Sequence, residues 1–203
     1  MTAKATSMSF EFDKANQAMV KKHLAKYPAD RKRSAVIPLL DMAQRQLGGS
    51  LNKQAIEYVA GLLDMPDIKV LEVASFYTML NLEPVGKHHV QVCTTTPCWL
   101  RGSDEILSAC KKKLGIETGQ VTKDGQFSLI EVECLGACVN APMVQINDDY
   151  YEDLSPEAMK KILEDMAKGE TPKAGPQVDR QTSAPVSGPK TCLPNKKDKN
   201  SAS

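Results

Sequence analysis

Four cysteines constrain this chain more than any other feature. They stand as two short-loop pairs, Cys93-Thr94-Thr95-Thr96-Pro97-Cys98 and Cys134-Leu135-Gly136-Ala137-Cys138. Each pair follows a run that alternates apolar and polar residues as a half-buried strand does, His89-Val90-Gln91-Val92-Cys93 before the first and Phe127-Ser128-Leu129-Ile130-Glu131-Val132-Glu133 before the second. The 35 residues between the pairs suffice for one helix and one strand, which return the second loop beside the first. One site with four thiolates follows. Two pairs on neighbouring loops suit a binuclear 2Fe-2S cluster, which is held by four cysteines. Cys93 and Cys98 are assigned to one iron, Cys134 and Cys138 to the other.

The same loops carry groups that tune such a centre. Thr94, Thr95 and Thr96 supply hydroxyls, and Gly136, lacking Cβ, lets backbone N–H groups approach sulfur closely. Cys98 falls near a helix N-terminus, whose positive end favours its thiolate. Arg101 is the nearby cation. Adding an electron to an anionic, all-thiolate site is unfavourable, so the expected potential is low, about −400 mV.

Competing chemistries fit less well. Structural zinc knuckles present tight C-x2-C pairs, whereas these spacings are four and three. Dithiol catalysis uses C-x-x-C, which is absent. Secreted disulfides want a signal sequence, and Met1-Thr2-Ala3-Lys4-Ala5-Thr6 has no apolar core. Cys110 lies among Ile106, Leu107 and Leu114 as a small core hydrophobe, and Cys192 lies in a Pro-rich tail; neither is expected to be a ligand. His88-His89 could suggest a Rieske centre, but adjacent strand residues face opposite ways, so a solvated strand end is expected. Trp99 is expected to pack locally, with cluster shielding or partner anchoring as the alternatives, and Phe76-Tyr77-Thr78-Met79 is expected in the core rather than on a partner-binding face. Ala141-Pro142 is a candidate cis peptide, against a base rate of about 5–6% for X–Pro.

The remaining chain divides by pattern. Residues 1–86 read as a helical region with four short helices: Ala15 to Tyr27, Ala35 to Leu47, a third capped by Ser50 or Asn52 and running through Leu63, and Ile68 to Leu80. Residues 87–170 read as strand, helix, strand, strand, strand, helix, with one helix from Pro97 to Leu114 and the last opened by Ser155-Pro156-Glu157. From Pro172 onward five Pro and two Gly accompany almost no large apolar residue, so residues 171–203 read as a flexible tail. The fold class is mixed helix and sheet, α+β or α/β.

Composition narrows the function classes. With 26 Lys+Arg against 25 Asp+Glu, no global basic field is available to hold nucleic acid. No stretch reaches the ~20 apolar residues of a membrane span, and the chain is expected to be intracellular. No Gly-x-Gly-x-x-Gly fingerprint for a dinucleotide is present.

The stretches Gln91 to Gly102 and Glu131 to Pro142, with Ser34-Ala35-Val36-Ile37-Pro38-Leu39-Leu40-Asp41 and Val73-Ala74-Ser75-Phe76-Tyr77-Thr78-Met79 upstream, closely resemble the family of small 2Fe-2S subunits of NADH:ubiquinone oxidoreductase, respiratory complex I. The resemblance covers about Phe10 to Gly169. It implies a thioredoxin-like 2Fe-2S ferredoxin domain behind a helical bundle. It further implies one cluster on Cys93, Cys98, Cys134 and Cys138, beside a flavoprotein subunit that carries FMN and the NADH site, and next to another peripheral-arm subunit. The chain would then be an electron carrier without its own NADH site. Its place would be the cytoplasmic side of a bacterial inner membrane, or the matrix side in an organelle. Small subunits of NAD-linked hydrogenases and formate dehydrogenases share cluster and fold and remain the alternative. Outside that superfamily stand a zinc-stabilised interaction module and a thiol oxidoreductase.

Overall fold

The computed structural model describes residues 10–180. Two compact units emerge: residues up to Gln91 together with Leu114–Glu131, and Val92–Lys113 together with residues from Val132 onward. The first unit opens with four helices, α1 (Lys14–Leu24), α2 (Val36–Gln46), α3 (Lys53–Leu63) and α4 (Asp67–Phe76). Capping sets several boundaries. Asp13 accepts from Asn16 N–H and Asn52 from Ala55 N–H, each satisfying a donor that the first helical turn leaves orphaned. Asp64, left-handed at φ 56°, closes α3. Leu39, Leu40, Val59, Leu63 and Val70 are fully buried together, and Phe10, Phe12 and Tyr58 meet edge to face at 5.2–5.7 Å. Each such aliphatic side chain contributes about 1.5–3 kcal/mol by leaving water.

Strand β1 (His88–Cys93) follows, then α5 (Thr96–Leu100), α6 (Ser103–Leu114), β2 (Gln120–Val121) and β3 (Phe127–Val132). After a 3-10 turn at Cys138–Asn140 come β4 (Val144–Ile146), β5 (Asp149–Glu152), α7 (Pro156–Ala167) and β6 (Gly175–Pro176). The strands form one sheet in the order β2-β3-β1-β4-β5-β6. β2 pairs antiparallel with β3, β4 antiparallel with β5 in the register Val144↔Tyr151, and β6 parallel with β5. Bonds from His88 N–H to Gln126 O and from Thr94 N–H to Val132 O advance together along the two chains, so β1 and β3 run the same way. Both strands therefore deliver a cysteine loop at their C-terminal ends. On α7 the apolar stripe Met159, Ile162, Leu163 and Met166 is buried.

The structure departs from the pattern in four places. The helix expected from Pro97 to Leu114 is broken, because Gly102 at φ 95° turns the chain between α5 and α6. α4 stops at Phe76, with Tyr77 extended, and leaves Phe76 76% and Met79 55% exposed rather than in the core. β2 is too short for periodicity to register. Residues 172–180, expected in the tail, include β6, and backbone pairing with β5 supplies what composition lacks. The rest of the expected tail, Cys192 included, lies outside the described residues. Ala141-Pro142, the candidate cis peptide, is cis. Among the described residues no helix is long and apolar enough to cross a membrane.

Candidate metal centre

The loops after β1 and β3 bring the four expected cysteines together. Cys93 ends β1 and Cys98 sits in α5, and both are about 1% exposed. Cys134 and Cys138 are exposed, their sulfurs 3.4 Å apart. The pairs are tied across the loops as well as within them. The Thr95 hydroxyl lies 3.3 Å from Cys93 Sγ and also hydrogen-bonds Cys134. Leu135 N–H, from the second loop, donates to Cys93 in the first, and Met143 N–H donates to Cys98. The Cys93 charge is felt at both Cys134 and Cys138.

Each pair holds one thiol whose pKa is lowered and one whose pKa is raised. Burial alone pushes Cys93 up, but donation from Thr95, Cys98 and Leu135 outweighs it and brings the thiol below its ordinary value. Cys98 is pushed up to about 12 by burial, then by its bond to Cys93. The helix end was expected to favour the Cys98 thiolate; in these loops desolvation wins over a five-residue helix. Cys134 is lowered by Gly136 N–H and then by Cys138, while Cys138 is raised by Cys134 and by burial. Cys93 and Cys134 thus ionise more easily than a free cysteine, and a bound cluster would hold all four sulfurs as thiolates.

Gly136 acts differently from the expectation of close approach. A Cβ there would meet nothing within 4 Å, but its φ of 85° requires glycine, and that turn aims its N–H at Cys134. Cys93, Cys98, Ala141 and Met143 form a small buried cluster against which Leu135, Ala137 and Tyr150 pack. Tyr150 donates its hydroxyl to Leu135 O at 2.8 Å and pins the second loop. Nothing in the sequence marks Tyr150 for this role, because the register that places it is set by β4. Arg101 donates to Ala141 O at 3.4 Å, so it braces the loop base.

Trp99 is 56% exposed, against the expectation of local packing; its indole N–H bonds Asp104 at 3.1 Å while Leu100 at 71% and Val139 at 83% lie open beside the thiols in sequence. Cys110 is fully buried and its thiol is pushed up to about 12 by burial, as a core hydrophobe requires. His88 and His89 are half-buried rather than solvated: His88 stacks on Phe127 at 5.1 Å, and His89 Nδ1 lies 2.7 Å from Ser128 Oγ. Neither joins the cysteines.

The residues present fit a binuclear cluster: four thiols in two pairs, backbone N–H groups aimed at sulfur, and a hydroxyl shared between the loops. Among the described residues no set of three or more His, Cys, Asp and Glu is gathered to hold a single metal ion.

The sequence profile of the thioredoxin-like 2Fe-2S ferredoxins matches residues 20–167. The chain is 63% identical to the E subunit of the NADH-quinone oxidoreductase of Rickettsia bellii, covering 81% of this chain and 97% of that protein. It is 50% identical to the mitochondrial NADH dehydrogenase (ubiquinone) flavoprotein 2 of Dictyostelium discoideum, over 91% of this chain and 74% of that one. Among solved structures, an NAD+-reducing NiFe hydrogenase superposes with a TM-score of 0.56 at 20% identity, over 64% of this chain and 23% of that chain, a likeness of fold. On the profile match and these relatives, the chain belongs to the thioredoxin-like 2Fe-2S ferredoxin family.

Proposed function

We propose that this chain is the electron-transfer subunit of an NADH-quinone oxidoreductase, with one 2Fe-2S cluster held by Cys93 and Cys98 on one iron and Cys134 and Cys138 on the other. The observation that carries the reading is the convergence of those four thiols at the ends of β1 and β3, one pair buried and the other open. When bound, the cluster takes up and returns single electrons. The chain's own contribution is positional: Thr95, Leu135, Gly136 and Met143 donate hydrogen bonds toward sulfur, and Met143 and Ala141 exclude water behind the buried pair. No side chain makes or breaks a bond in the transfer.

The partner in this reading is the subunit that carries FMN and the NADH site. Cys134 and Cys138 are open thiols, and exposed apolar side chains follow a cysteine in each loop, Trp99 and Leu100 after Cys98 and Val139 after Cys138, as suits such a docking. The assembly would form part of the peripheral arm, on the cytoplasmic side of a bacterial inner membrane or the matrix side of an organellar one. Near full-length correspondence to the Rickettsia relative supports this host over a hydrogenase, whose similarity is one of fold.

Electron paramagnetic resonance on the purified chain tests the cluster, with iron and acid-labile sulfide counted on the same sample. The expected result is a silent oxidised state, a spin-half signal after dithionite reduction and two irons per chain. A colourless protein with one zinc per chain would reject electron transfer, and co-purification with hydrogenase activity would reject the host.

A further inference from the structure

The turn that follows the second cysteine pair has few anchors of its own. Cys138–Asn140 is a single 3-10 turn with no side-chain cap, and Val139 is open to solvent. Asn140 is where the loop is fastened. Its carbonyl accepts from Asp153 N–H at 2.8 Å, its Nδ2 donates to Glu152 Oε2 at 2.5 Å, and its Oδ1 accepts from Arg180 Nη1. Arg180 Nε also pairs with Asp153 Oδ2 at 2.9 Å, where the carboxylate side chain is only 8% exposed.

Arg180 reaches this place because β6 lies along β5, with Tyr151↔Gly175 and Glu152↔Pro176 in register, and Gln177 N–H continues the ladder to Glu152 O. One guanidinium then joins the C-terminal arm, the end of β5 and the cysteine loop. Its Nη1 bonds an amide oxygen while its Nε lies against a carboxylate as an ion pair, a two-point arrangement that a compact ammonium cannot reproduce. It also neutralises Asp153, a carboxylate costly to leave unpaired at that depth.

We propose that Arg180 is a positioning residue for the second cysteine loop, holding the segment that carries Cys134 and Cys138 through Asn140 and Asp153. The inference rests on the four-cysteine cluster reading, and it adds that the arm after α7 is part of the site. Arg180 does two separable things: it restrains the loop through Asn140, and it neutralises the Asp153 carboxylate.

The test uses the full chain loaded with its cluster, in the wild type and in Arg180→Gln, Arg180→Lys and Asn140→Ala. Two quantities are read, the reduction potential and the rate of cluster loss to a ferrous chelator. Arg180→Gln should lose its cluster roughly tenfold faster and titrate at a more negative potential, since a buried carboxylate is left uncompensated. Arg180→Lys should restore the potential but only part of the lifetime. Asn140→Ala, which keeps the ion pair, should shorten the lifetime with little change in potential. A merely structural arm would alter unfolding without moving the potential. Wild-type potential and lifetime in Arg180→Gln would overturn the inference alone. If that variant takes up no cluster, a wild-type lifetime in Asn140→Ala overturns it instead. A wild-type chain that binds no iron rejects the cluster reading beneath it.

Discussion

Replacing Gly86 by alanine should destabilise the protein by about 3 kcal/mol, and the figure follows from the contact that a new methyl would make. An added Cβ at Gly86 would lie 2.3 Å from Phe127 C, 2.6 Å from Ser128 N and 2.7 Å from Phe127 Cα. All three are backbone atoms of β3, so no side chain can swing aside; the strand must move by about 1 Å to restore ordinary contact. The bonds that would stretch are Lys87 N–H to Gly125 O, now 3.0 Å, and His88 N–H to Gln126 O, now 2.8 Å. Two such bonds are worth about 1–3 kcal/mol net. Displacing Phe127, 4% exposed, forfeits a further fraction of its burial. In a domain of this size about 3 kcal/mol lowers the thermal midpoint by roughly 6–12 °C. Circular dichroism melting of the metal-free protein measures it, with Gly61→Ala as control. Gly61 lies within α3 and a Cβ there meets nothing within 4 Å, so that variant should gain about 0.5–1 kcal/mol. A Gly86→Ala midpoint within a degree of wild type, beside a raised Gly61→Ala midpoint, refutes the claim that β3 backbone closes on Gly86.

Other expectations follow from the same structure. Alanine at any of Cys93, Cys98, Cys134 or Cys138 should abolish or convert the reduced resonance signal, whereas Cys110→Ala should keep it at a cost of about 1 kcal/mol for the small cavity. Tyr150→Phe removes the 2.8 Å bond to Leu135 O, and chelator-driven cluster loss should quicken several-fold, consistent with about 1 kcal/mol. Asn52→Ala deletes the cap on Ala55 N–H and should cost about 1 kcal/mol in denaturant unfolding with the cluster spectrum unchanged. Burial lowers both His88 and His89 below the usual 6.5, with the Lys87 charge adding to the effect at His88. The unfolded chain therefore takes up their protons first; this stability is complete above about pH 6.5 and is lost as pH falls below it. Replacing both histidines by glutamine should flatten the fall in denaturant midpoint between pH 7 and pH 5, and an unchanged slope refutes the assignment.

Much of the site was legible in sequence because its chemistry is local. Two thiols per loop and a strand ahead of each loop are written in consecutive residues. Boundaries set by a single side chain were legible for the same reason, as at Asn52 and at Ser155-Pro156. Features decided by distant partners were not. The break at Gly102 depends on a left-handed backbone that a helical apolar pattern does not register. Pro176 cannot donate a hydrogen bond, yet β5 accepts it as an edge strand, so a segment with little apolar content becomes ordered. Tyr150 and Arg180 reach the second loop from 15 and 40 residues away, and no spacing rule connects them to it. Phe76 and Met79 had the composition of core, but the early end of α4 turned them outward.

The outermost strands of the sheet, β2 and β6, each contain two residues, while the four between them are longer. A free sheet edge is a template on which other chains can add strands, and proteins defend it by shortening it or by seating proline there. β6 does both, since Pro176 presents no N–H. A polypeptide made apart from its neighbours must spend time alone, at whatever concentration the cell imposes, before it joins them. Blunt edges keep that waiting population from growing fibrils.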